Sequence, residues 1–142
     1  MVQSEYLPLI HAAVALRVSD SAKALDALGP AAPYELGQQT SLVNFALYPV
    51  YLRGQAYLAA KQGAEAAVEF QKILDHPGVA VNEPISALAH LGLGRAYPIA
   101  GDSSKAKMAY QDFFALWKNA DSDVPILKQA KTEFAKLQKT GF

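Results

Sequence analysis

The feature that most restricts what this chain can fold into is a set of four residues, small and aromatic, that occurs twice at a fixed offset. Gly54, Tyr57, Ala66 and Phe70 return forty positions later as Gly94, Tyr97, Ala106 and Tyr110. A glycine with an aromatic three residues on, then an alanine with an aromatic four residues on, each mark one face of a helix. The glycine lets a neighbouring helix approach its backbone, the aromatic fills the space beside the notch, and a small alanine opposite keeps the crossing tight. Two copies predict stacked helical hairpins in which each unit contacts its neighbours.

The rest of the chain supplies further helices. Residues 4–17 carry Tyr6, Leu9, Ile10, Ala13, Val14 and Leu16 at helical spacing, with Pro8 tolerated near the start. Ser19-Asp20-Ser21 offers N-caps for a second helix over about 21–29, with Ala24, Leu25 and Leu28 inward and a stop at Gly29-Pro30. Residues 30–41 hold two prolines and a glycine and predict an ordered loop, long enough to serve either as a spacer or as a functional segment. A third helix is expected over 42–61 and, after Gln62-Gly63, a fourth over 64–75 with Ala66, Ala67, Phe70, Ile73 and Leu74 inward. Beyond the loop 76–83, with Asn82 or Glu83 as cap and Pro84 in the first turn, come a fifth helix at 85–99 and a sixth at 103–118. Gly101-Asp102-Ser103 separates those two as a stop and a cap, and Ala106, Tyr110, Phe113 and Trp117 line one face of the sixth. A seventh, about 125–139, has Leu127, Ala130, Phe134 and Leu137 inward and Lys128, Lys131, Lys136 and Lys139 outward, the pattern of a helix that seals the end of a stack.

At 142 residues and 51% apolar, the chain suits one domain (1–142) with a core of its own. Thirteen basic and thirteen acidic residues cancel, which argues against a nucleic-acid partner. The absence of cysteine excludes disulfides and thiolate chemistry. No apolar run reaches the ~20 residues that span a bilayer, so no membrane insertion by this segment is expected. The chain starts almost directly in helical pattern and is expected to be a piece of a longer protein. A cytoplasmic setting is the first expectation, an extracytoplasmic part of a membrane-anchored parent the other.

These residues resemble the tetratricopeptide repeat. The best match is 87–120, with Gly94, Tyr97, Gly101-Asp102, Ala106 and Tyr110. The next is 47–80, with Gly54, Tyr57, Ala66 and Phe70 but Lys61-Gln62 where the family has Gly-Asp. A weak first copy at 5–38 keeps Ala12, Asp20, Ala24 and Leu28. Repeats stand 40 to 42 residues apart (Ala24, Ala66, Ala106) where the family has about 34, the surplus falling in the loops between hairpins. The runs 47–58, 69–76 and 116–121 are similar, more narrowly, to the C-terminal repeat region of bacterial, acidobacterial-type serine/threonine kinases and related signalling proteins. The resemblance implies an all-α, right-handed superhelix of three hairpins (about 4–29, 42–75 and 85–118) plus a capping helix. It implies the non-catalytic interaction end of such a protein, since no glycine-rich kinase loop, strand lysine or His-Arg-Asp segment occurs.

Residue chemistry points away from an enzyme. His11, His76 and His90 lie 65 and 14 residues apart with no carboxylate or histidine at ligand spacing, so no metal or cofactor is expected. Asp121 and Asp123 are better used as caps than as cation ligands. Gly92-Leu93-Gly94 lacks a preceding strand, Tyr97 holds the place of a third dinucleotide-loop glycine, and helix packing explains both glycines. Ser103, Ser104 and Asp102 form a cap without a positioned base.

In the tetratricopeptide family the first helices line a concave groove. Carried over, the resemblance places Tyr48, Tyr51, Gln55, Leu58 and Ala59, then Leu88, Leu91, Arg95, Pro98 and Ile99, on its wall. Tyr6, Leu9, Ala13, Leu16 and Arg17 are the weaker first-hairpin equivalents. Tyrosines, a glutamine and two arginines on an apolar wall suit a peptide or protein partner, with the arginines able to anchor a carboxylate. The groove could instead be filled by the seventh helix or by a second copy, making the chain a homo-oligomer. A small-ligand or enzymatic site built from the 30–41 loop with Tyr48, Tyr51 and Arg95 is the remaining alternative. On the groove reading, Tyr51→Ala is expected to leave the melting temperature nearly unchanged.

Overall fold

The computed structural model describes residues 6–36, 47–77, 79 and 84–140. Among them are seven α-helices and no strand: α1 (Leu7–Arg17), α2 (Ser21–Leu28), α3 (Tyr48–Ala59), α4 (Gly63–Leu74), α5 (Ile85–Ile99), α6 (Ser103–Leu116) and α7 (Pro125–Thr140). A 3-10 helix, Gly29–Tyr34, continues from α2 into the segment expected to be an ordered loop. The expected first residues of the first helix (4–5) and third helix (42–46), the rest of the loop (37–41) and the caps Asn82 and Glu83 lie outside the described residues. Pro84 stands just before α5 as its N-cap residue.

The three hairpins turn in the same way. Ser19, Lys61 and Gly101 have φ of 60°, 61° and 88°, the left-handed conformation that closes a helix. In each, the next residue donates its N–H back five positions: Asp20 to Ala15 O at 2.9 Å, Gln62 to Tyr57 O at 2.9 Å and Asp102 to Tyr97 O at 2.8 Å. Asp20 and Asp102 then cap the following helix by accepting from the N–H of Lys23 and Lys105. Lys61-Gln62 therefore adopts the Gly-Asp geometry with neither residue type, and Lys61 bears the steric cost of about 1–2 kcal/mol that a side chain meets there.

α1 pairs with α2, α3 with α4 and α5 with α6; α2 packs on α3 and α4 on α5, and the first helices also touch, α1 on α3 and α3 on α5. This is a superhelix of helical hairpins. Its core runs the length of the stack as three adjoining clusters, around Ala12, Ala24, Leu28 and Ala56, then Val50, Phe70, Ile73 and Leu93, then Leu91, Phe113, Leu127 and Ala130. Of the expected inner faces of α4, α6 and α7, Ala66, Phe70, Ile73, Ala106, Tyr110, Phe113, Leu127, Ala130 and Leu137 are buried, while Ala67, Leu74, Phe134 and Trp117, just past the end of α6, are half-buried against the core.

Two expectations are corrected. The glycine notches receive rings before alanines: a Cβ at Gly54 would stand 2.7 Å from Phe70 Cε1 and Cζ, and one at Gly94 2.9 Å from Tyr110 Cδ2. Gly92 faces Phe70 as well, at 2.6 Å, so that single ring lies between notches on α3 and α5. The stripe of α1 is also rotated from the expected one. Ala12 and Ala15 are buried with Pro8, while Ile10 and Val14 are 57% and 58% exposed and Ala13 is exposed. Small residues inward allow α1 to close on α2 and α3, which turns its branched residues outward.

Glu35, after the 3-10 helix, is the one buried charged residue among those described, at 2% exposure. It accepts from Arg53 of α3 through one oxygen and from Lys72 of α4 at 2.9 Å through the other, and Arg53 also donates to Glu69 at 3.1 Å. Burial works to raise the Glu35 carboxyl, but the hydrogen bonds and charges of Arg53 and Lys72 outweigh it and hold it below the ordinary carboxylate value. Four charges thus fasten the segment after α2 to the second hairpin.

Candidate partner-binding site

The first helices present one side of the stack, and α7 folds against its last portion. Between them lies an open depression of about 590 Å³. α1 contributes Leu16; α3 contributes Tyr51, Gln55, Leu58 and Ala59, at successive turns of one face; α5 contributes Arg95, and α7 contributes Gln129 and Glu133. The structure thus gathers Tyr51, Gln55, Leu58, Ala59, Arg95 and Leu16, six of the expected groove positions. An adjoining depression of about 420 Å³ continues past Leu58, Arg95 and Glu133 to Pro98, Ile99, Lys61 and Lys136.

Arg95 is the pivot of this wall. Its Nε donates to Glu133 Oε2 at 2.9 Å, and the Tyr110 hydroxyl donates to the same oxygen at 2.9 Å. The guanidinium Nη2 is out of solvent with no hydrogen-bond acceptor among the described residues. Burial and the Glu133 carboxylate together push the Tyr110 hydroxyl far above its ordinary pKa, so it stays protonated and donating. Tyr51 is raised too, by burial first, with the Arg95 charge and a hydrogen bond with Gln55 acting the other way.

Other expected positions are elsewhere. Leu91 is 1% exposed in the cluster with Leu127 and Ala130, because α7 lies over that stretch of α5; it is core and not groove. Tyr48 and Leu88 are half-buried, Tyr48 against the central core, and Leu9 packs with α2. Arg17 is exposed and Tyr6 half-buried. The Tyr51 ring also packs edge-on against Phe70, centroids 5.9 Å apart, so it serves the core and the depression together. The expected indifference of stability to Tyr51→Ala is therefore withdrawn.

Gln129 and Glu133 escaped sequence reasoning. Their only signal was a four-residue spacing beside the apolar stripe of α7, which reads equally as solvated surface. Two of the histidines make local contacts: His76 Nδ1 lies 2.8 Å from Lys72 O, and His90 Nδ1 3.8 Å from Asp112 Oδ2. Among the described residues no group of three His, Cys, Asp or Glu is placed to hold a metal ion, and no helix is long and apolar enough to cross a membrane. No family model matches the chain, and no curated protein or solved structure is significantly similar to it. The side-chain geometry therefore carries the functional argument.

Proposed function

We propose that this chain is a non-catalytic interaction module whose concave depression takes a segment of a partner protein. The observation that carries the reading is the convergence of Tyr51, Gln55, Arg95, Gln129 and Glu133 from three helices around an open, partly apolar trough. Rings and aliphatic side chains give contact area there, and polar groups set orientation. The likeness of runs 47–58, 69–76 and 116–121 to the repeat region of bacterial kinases extends the proposal to a module of a larger signalling protein, in the cytoplasm. Peptides selected from a displayed random library test the reading by chemical-shift mapping. Shifts centred on Tyr51, Gln55 and Gln129 are expected; shifts confined to other faces would refute it.

A second reading, self-association, is favoured by a different face. Leu7, Ile10 and Val14 of α1, with Val18 just after it, form an exposed apolar stripe on a helix whose only full charge is Arg17, whereas α7 at the other end exposes Lys128, Lys131, Lys136 and Lys139. Two copies meeting through α1 bring no like-charged rows together; two meeting through α7 do. Sedimentation of the wild type against an Ile10→Lys, Val14→Lys variant checks this, and identical sizes across the accessible concentrations would rule out a dimer through α1.

A further inference from the structure

The geometry points to an uncharged, amide-bearing stretch of a partner protein, rather than an acidic one, as the occupant of the depression. The inference rests on the groove reading above and adds the chemistry of the ligand.

An unpaired arginine in such a trough would recruit carboxylates. Arg95 is not unpaired: Glu133 takes its Nε at 2.9 Å and is itself held by the Tyr110 hydroxyl, so the carboxylate is fixed from two sides. The pair is neutral as a unit, with side-chain exposures of 22% and 27%. A ligand carboxylate arriving beside it meets the Glu133 charge as closely as the Arg95 charge. The partly desolvated setting leaves that repulsion poorly screened.

What the site still offers is uncharged hydrogen bonding. The buried Arg95 Nη2 is closed to a ligand, so the guanidinium adds no free donor to the trough. Gln55 on α3 and Gln129 on α7 stand on different walls of the depression. Each glutamine presents one carbonyl and one NH2 and so matches the C=O and N–H of an amide in either orientation. Leu16 and Leu58 furnish apolar contact for the side chains between those amides. Besides the Arg95–Glu133 pair no charged residue lines this depression; the exposed Lys61 and Lys136 line the adjoining one.

The test uses the complete chain and a consensus peptide from the displayed library, with derivatives carrying one Glu or one Lys at each position, measured by fluorescence anisotropy at two salt concentrations. The uncharged peptide should bind about tenfold more tightly than its best Glu derivative, with little salt dependence. Glu133→Gln should reverse that order, since it frees the Arg95 charge while its side-chain carbonyl still accepts from Tyr110. Gln129→Lys, at an exposed position of α7, should weaken the uncharged peptide about fivefold and favour the Glu derivative even if Glu133→Gln folds poorly. A Glu derivative that binds the wild type as tightly as the uncharged peptide, and loses affinity with salt, overturns the inference and leaves the groove reading standing. Absence of binding by any peptide overturns both.

Discussion

Replacing Gly92 by alanine should destabilise the protein although alanine is the better helix former. The gain in helix propensity is about 1 kcal/mol. Against it, the added Cβ would stand 2.6 Å from Cε1 and Cζ of Phe70 and 2.7 Å from Cδ1. The ring cannot retreat: it is wholly buried, and on α3 the corresponding Cβ position at Gly54 is only 2.7 Å from the same two ring atoms. Overpacking of this kind costs about 1–3 kcal/mol, so the net loss for Gly92→Ala is about 1 kcal/mol. In a Phe70→Leu background the two nearest ring atoms are absent, and the same change should stabilise by about 1 kcal/mol, a coupling of about 2 kcal/mol between the positions. Urea unfolding of the four proteins, followed by far-UV circular dichroism, closes the cycle. If Gly92→Ala stabilises both backgrounds equally, Phe70 is not held between α3 and α5 and the packing described for the centre of the stack is wrong.

Lys61→Gly should raise stability by about 1 kcal/mol by relieving the left-handed residue at φ 61°, and Gly101→Ala should lower it comparably; thermal denaturation compares the two. Glu35 has a folded-state pKa below its ordinary value, so its contribution is fully present above the ordinary carboxylate range and is lost as pH falls through the folded value. Glu35→Gln should consequently be less stable at neutral pH and lose less on acidification than the wild type, as read from urea midpoints across that range. Tyr51→Phe should change stability by less than about 0.5 kcal/mol while Tyr51→Ala costs about 2 kcal/mol, because the ring supports Phe70; equal effects in calorimetry would place the hydroxyl and not the ring as the structural element.

Local signals made most of the fold legible. Gly29-Pro30, Asp20 and Gly101-Asp102 mark ends and caps that are decided within one turn of chain, and the helix limits follow them closely. The forty-residue offset placed the hairpins because small and aromatic residues at the same spacing solve the same packing problem. What escaped depends on long separations. Glu35 meets Arg53 and Lys72 across 18 and 37 positions, and Glu133 meets Arg95 across 38, with no periodicity to announce either. The rotation of α1 was hidden because its outward residues, Ile10 and Val14, are more apolar than the alanines it buries. Leu91 was misplaced for a related reason: the repeat pattern describes one hairpin and its neighbour, not the terminal helix that comes back over the last of them.

That terminal helix gives the molecule a thermodynamic linkage. α7 buries Leu127, Ala130 and Leu137 to close the stack and, on the same turns, supplies Gln129 and Glu133 to the depression. Fraying of α7 therefore removes two of the five polar side chains that line the depression along with the seal. By reciprocity, any molecule bound there must slow amide exchange in α7 by the factor by which an undocked α7 would weaken its affinity.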